Sequence, residues 1–273
     1  MLCLECAQLW CNSSHTRPVS GGISSGDSKR AAVLDILRGL ALVEMIVYHG
    51  LYDWVYIFGR RADFMGTKSA YWWQQSICWL FILLSGAALN YGRRPLRRGA
   101  QVLLCGLLLT IVTVTVMPSE QIWFGVLHFL GCAGMLCGLL RDWLKRVPST
   151  FGAIGSFLCF AFLKSVPSHA VGFLDIAWLR LPSEWYTTQW LFPLGFPGPG
   201  FVSADYFPVI PWLFLYLAGF YFWRMMMEAS FYPKILALPS LPLWSWLGQH
   251  SLLIYLLHQP LLMVLVAGLN YLF

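Results

Sequence analysis

The sequence predicts an all-α membrane protein, a polytopic bundle of about seven transmembrane helices. Three observations lead there. Hydrophobic residues fill 58% of the 273 positions and charged residues only 11%, against about 25% charged in an ordinary soluble domain. The mean hydropathy is +0.64. The apolar residues gather into runs of roughly twenty, the length of a bilayer-crossing helix, and most basic residues fall between those runs. The net charge of +6 is therefore read through its placement beside a membrane, and no nucleic-acid partner is expected.

Residues 1–30 end in the Gly/Ser-rich run SGGISSGDSKR and read as a flexible cytosolic tail, leaving 31–273 as the membrane domain. Cys3, Cys6, Cys11 and His15 have the spacing of a zinc knuckle. Their flanks carry no pattern that a metal could organise, so no metal is assigned. The other cysteines lie in apolar segments and read as small packing residues without a disulfide framework.

The first span, Leu34–Phe58, is the polar one. It carries Asp35, Arg38, Glu44, His49 and Asp53, and charge within a membrane helix is costly enough to mark function. At about 100° per residue, Asp35, Arg38, His49 and Asp53 share an arc of roughly 60°, while Glu44 points away. His49 and Asp53 are an i, i+4 pair, so the carboxylate can fix the imidazole's tautomer. Asp35 and Arg38 form a candidate ion pair near the cytosolic face.

The following spans are expected at Tyr71–Tyr91, Gly99–Met117, Ile122–Leu140, Thr150–Val166, Asp205–Trp223 and about Leu243–Phe273. The cluster Arg93, Arg94, Arg97 and Arg98 lies between the second and third. His128 falls in the first turns of the fourth, and Asp205 and Tyr206 open the sixth, where Asp205 reads as its N-cap. The long Pro/Gly-rich segment 167–204 contains Val171–Leu181, an apolar stretch suited to a re-entrant half-helix. The last span holds His250, His258 and Pro260; His258 and Gln259 can bond carbonyls freed by the proline or line a channel.

With the N-terminus inside, twelve of the eighteen Lys and Arg lie in inner segments and five in outer ones, Arg38 being within the first span. This bias predicts an N-in, C-out topology. His49 lies about 16 Å along its helix from Arg38, at 1.5 Å per residue. That places His49, Asp53, His128 and Asp205 at comparable depth in the outer half, where they could converge. Trp72, Trp73, Trp123, Trp212, Trp223, Trp244 and Trp246 sit near predicted helix ends, as interfacial anchors do.

LDILRGLALVEMIVYHGLYD, FILLSGAAL, FGVLHFLG, DYFPVIPW and LGQHSLLIYLLHQP, in this order, resemble the bacterial branch of the heparan-alpha-glucosaminide N-acetyltransferase catalytic-domain family over roughly residues 33–262. The resemblance implies a multi-pass enzyme of the bacterial inner membrane. It would move an acetyl or other acyl group from a cytosolic acyl-CoA to an amine or hydroxyl of an extracytoplasmic sugar or glycan. Acetyl-CoA would be a co-substrate, and no cofactor would be tightly bound. Residues 59–70 lack the loop histidine of the lysosomal members, and His49 stands about where those carry asparagine.

On this reading His49 acts as general base or acyl carrier, with Asp53 orienting it and His128 joining them. Arg38 would hold a donor phosphate, with Arg93, Arg94 and His258 on the donor side. A basic cluster such as Arg93 and Arg94 more often marks topology and lipid head groups. Asp205 and Tyr206 fall on the acceptor side. Membrane lipids, the acyl-CoA and the glycan are the expected partners, with a homo-oligomer left open. The alternative is a proton-coupled transporter that uses His49, Asp53 and Glu44 as a relay; the sequence shows no internal repeat to support it.

Overall fold

The computed structural model describes residues 25–229 and 241–272. The tail's cysteines and His15 lie outside the described residues, as does the segment 230–240. The chain is mostly helical and divides into two compact units. One is formed by residues up to Phe81 together with the C-terminal segment, the other by Ile82–Ala229.

In the first unit, α1 spans Ser25–Tyr52 and continues as one π-helical turn, Asp53–Ile57. It begins ahead of the expected Leu34. α2 spans Lys68–Ala88 and crosses the unit boundary. The expected single last span is two helices, α8 (Pro242–Gln249) and α9 (Ser251–Leu272). His250, at φ −98° and ψ 14°, separates them. Its Nδ1 bonds the Trp246 carbonyl at 2.8 Å, a local side-chain bond of the kind that competes with helix continuation. α1 and α8 pack backbone to backbone: a Cβ on Gly39 would meet the Trp244 carbonyl, and one on Gly248 the Asp35 carbonyl. Small residues allow such approach where lipid supplies no hydrophobic drive. Leu42, Met45 and Ile77 form the buried core beside this seam, with Tyr48, Trp73 and Tyr255 packed against it.

The second unit holds α3 (Pro95–Val116), α4 (Val126–Leu139), the short α5 (Arg141–Leu144), α6 (Ser149–Leu163) and α7 (Val209–Glu228). Proline at the first position suits the start of α3. α4 begins four residues later than expected, because Phe124 takes φ +56° and Gly125 is extended. Arg141 ties the chain after α2 to the start of α5, donating to the carbonyls of Asn90 and Gly92 at 2.6 Å each.

The segment expected as a re-entrant half-helix is instead a β-hairpin, β1 (Ala170–Phe173) against β2 (Ile176–Arg180). The expectation of a re-entrant half-helix is corrected at this point, while the fold stays mostly helical. Alternating β-branched and aromatic residues favour strands, and Leu174 takes the positive φ of +52° that a tight turn needs. The hairpin is pinned to the end of α6 by Lys164–Asp175 at 2.5 Å, by Ser165 Oγ donating to the Leu174 carbonyl at 2.8 Å, and by Leu174 N–H donating to Ala161 at 2.6 Å.

Among the described residues, four helical stretches are long and apolar enough to cross a membrane: Pro95–Val116, Ser149–Ser168, Val209–Glu228 and Ser251–Leu269. Val126–Leu139 is apolar but shorter.

Candidate active site

The polar stripe of α1 ends at its π turn. A π turn is rare and recurs at functional sites, because it re-aims the side chains that begin it. Here it begins with Asp53, whose side chain is fully buried at 0% exposure. Asp53 Oδ1 accepts a hydrogen bond from Gln259 Nε2 of α9 at 2.8 Å. The His49 ring, half-buried one turn earlier, meets His258 edge to face, with 5.0 Å between ring centroids. α9 thus supplies a neighbour for each of the two residues, His258 for His49 and Gln259 for Asp53.

His258 is 7% exposed. Its Nδ1 lies 2.5 Å from the Tyr255 carbonyl. A carbonyl only accepts, so Nδ1 carries the proton and Nε2 presents a lone pair. That Nε2 and the neighbouring Gln259 Oε1 are buried without a hydrogen-bond partner among the described residues. Pro260 removes the N–H that would reach the Leu256 carbonyl; the carbonyl taken by His258 is that of Tyr255, one residue earlier.

At the other end of the same stripe, Arg38 Nη1 donates to Asp35 Oδ1 at 2.7 Å, the intrahelical pair the spacing predicts. Gln249 of α8 also bonds Asp35. Glu44 is exposed.

His128, Asp205, Tyr206, Arg93 and Arg94 belong to the second unit. His128 Nε2 lies 3.2 Å from Thr110 Oγ1, and that hydroxyl donates to the Ile122 carbonyl at 2.8 Å. The imidazole is thus the donor to Thr110 through Nε2–H. Its Nδ1 faces Gly106, where an added Cβ would lie 3.0 Å away. Phe124 stacks on the ring at 5.9 Å.

Asp205 is a cap, but for a different helix. α7 starts only at Val209, after Pro208. Asp205 Oδ2 instead accepts the N–H of Val126, the first residue of α4, at 2.8 Å. The segment carrying it pairs with the chain before α4, through Ala204 N–H to Gln121 O and Phe207 N–H to Phe124 O, both 3.0 Å. Burial pushes the Asp205 carboxyl up to about 6, partly offset by the Val126 N–H. Tyr206 donates to the Phe192 carbonyl at 2.5 Å, and burial raises its phenol. Arg93 and Arg94 are exposed just before α3. Among the described residues, no three metal-ligating side chains come together.

The model of the catalytic region of heparan-alpha-glucosaminide N-acetyltransferase matches residues 30–260, most of the chain. The protein belongs to this family. No curated protein and no solved structure matches it. Membership in this acetyltransferase family, together with the four apolar helices, makes it an integral membrane protein.

The family match begins within the first turns of α1 and ends at Pro260, so it encloses both sides of the His49–His258 and Asp53–Gln259 contacts. Sequence reasoning placed His49 and Asp53 in one cluster. It left His258 on the donor side and gave Gln259 no link to Asp53. The available signal was the HQP triplet, whose two polar side chains interrupt an otherwise apolar helix.

Proposed function

We propose that this member of the family transfers an acetyl or other acyl group from an acyl-CoA to an amine or hydroxyl of a sugar or glycan. The observation that supports the reading best is the pairing of His49 and His258 beside the fully buried Asp53 and its Gln259 partner. Acyl transfer from a thioester to a neutral nucleophile needs a group that takes a proton, and a neutral imidazole suits that task. The His49–His258 pair supplies it. Asp53 orients the cluster through Gln259. Arg38, held by Asp35 at the far end of α1, contributes to holding the donor's phosphates. The donor comes from the cytosol and the acceptor from the other side. On this reading the chain lies in a bacterial inner membrane with seven spans, N-terminus inside and C-terminus outside.

The test is turnover of acetyl-CoA with glucosamine by the purified protein in detergent. An enzyme works there, whereas a proton-coupled transporter needs a sealed vesicle. General-base catalysis contributes roughly 10²–10⁴-fold. His49→Ala is expected to lower turnover by that order while donor binding persists, and Arg38→Ala to weaken donor affinity instead. Near-normal turnover in folded His49→Ala protein overturns the assignment.

A further inference from the structure

The two buried, unpartnered side-chain atoms of α9 in this cluster are of one kind. His258 Nε2 is a lone pair because Nδ1–H is committed to the Tyr255 carbonyl at 2.5 Å. Gln259 Oε1 is an acceptor because the amide must turn its NH2 toward the Asp53 carboxylate, 2.8 Å away. Reversing the amide would set oxygen against oxygen. A buried acceptor left unmet is costly, and such groups persist where something else completes them. Here two occur on consecutive residues, one of them 7% exposed. Two buried acceptors on consecutive residues are complemented by a group rich in N–H or O–H.

We infer that His258 Nε2 and Gln259 Oε1 bind the acceptor's nucleophile, an amine or hydroxyl, and that His258 Nε2 takes its proton. This rests on the acyl-transfer reading and moves His258 from the donor side to the chemistry. As the acceptor's nitrogen or oxygen bonds to the acyl carbon, its proton passes to Nε2. The carbon–sulfur bond of the thioester breaks, its electron pair leaves on the CoA sulfur, and the imidazolium returns the proton to that thiolate. The cationic ring keeps its Nδ1–H on the Tyr255 carbonyl, which strengthens that bond while the charge exists. Gln259 Oε1 holds a second hydrogen of the nucleophile, or a neighbouring hydroxyl, and so orients the attacking lone pair. His49, edge to face at 5.0 Å, backs the His258 ring.

The experiment separates this inference from the broader reading. His258→Asn keeps an amide N–H where Nδ1–H donates and deletes Nε2; His258→Gln is the second variant. With acetyl-CoA and glucosamine, folded His258→Asn is expected to lose roughly 10²–10⁴-fold in kcat with donor binding retained. Near wild-type kcat in either folded variant overturns the inference. In parallel, ¹⁵N-histidine spectra of wild-type protein in lipid, assigned by difference against whichever variant folds, should show His258 Nε2 unprotonated. Its signal should move when glucosamine is added alone. If the wild type transfers no acetyl group, the acyl-transfer reading fails and the spectra decide this one. A glucosamine-dependent shift sustains the binding pair; a protonated or indifferent Nε2 overturns it.

Discussion

Asp205 shows how one carboxylate serves a helix that is distant in sequence. Its bond to the Val126 N–H meets one of the donors left open at the start of α4. Asp205→Ala is expected to cost about 1 kcal/mol, the usual worth of such a cap, measured as a lowered midpoint of thermal unfolding. The carboxyl's folded value of about 6 lies above its ordinary 3.8. Between these values the folded state holds more protons than the unfolded one, so this group's contribution to stability falls as pH rises from about 4 to about 6 and is level above. Asp205→Asn keeps an acceptor for Val126 and should remove that slope, which unfolding midpoints across this range would show. Gly106 is a second single-residue test. A Cβ there would press on the His128 backbone nitrogen at 2.9 Å and on its ring. Gly106→Ala is therefore expected to cost about 1–3 kcal/mol by overpacking. That His49 and Asp53 fall on the same stretch of α1 and its π turn was legible, because one helical run carries both. Gln259 was not, because it sits 206 positions from Asp53 and only packing brings it there.

At the scale of elements, the tightest joint in the first unit is the approach of α1 to α8. Gly39 and Gly248 each face a carbonyl of the other helix. Gly248→Val should force the helices apart and, since Asp35 also bonds Gln249, loosen the anchor of Arg38. The expected readout is a loss of detergent-extracted folded protein, with any surviving fraction showing weakened acetyl-CoA binding. Element boundaries were legible where local signals act, as at Pro95. They were missed where a tertiary or side-chain bond sets them, as at His250 and Val126. The hairpin was missed for a related reason: a short apolar run fits a strand or a buried helix equally. Its anchors at Lys164, Ser165 and Ala161 lie on or just after α6. Lys164→Ala should raise amide exchange across 170–180 while leaving the exchange of α6 and α7 unchanged.

For the molecule as a whole, charge placement supports the proposed N-in topology. A membrane-impermeant thiol reagent on intact cells should label a cysteine placed at Gly198 and spare one placed at Ser230; the reverse pattern would remove the proposed sidedness of donor and acceptor. The expected tryptophan anchors divide on folding. Trp72, Trp123 and Trp246 are exposed, whereas Trp212 and Trp223 are each 8% exposed and buried. Nearness to a helix end did not distinguish them, because burial depends on which face a neighbouring helix covers.

By itself the sequence determined that the protein is helical and membrane-bound, because hydropathy and run length are sums over local residues. The order of its polar motifs pointed to the family, and helical period joined His49 to Asp53. The folded structure decided which atoms are left unmet. Whether His258 Nε2 is a lone pair follows from its local bond to the Tyr255 carbonyl, whereas only tertiary packing decides that Gln259 Oε1 is an acceptor, through Asp53 across the α1–α9 contact. Hydrogen-bond direction is a property of pairs, and the deciding pair here joins residues far apart in the chain.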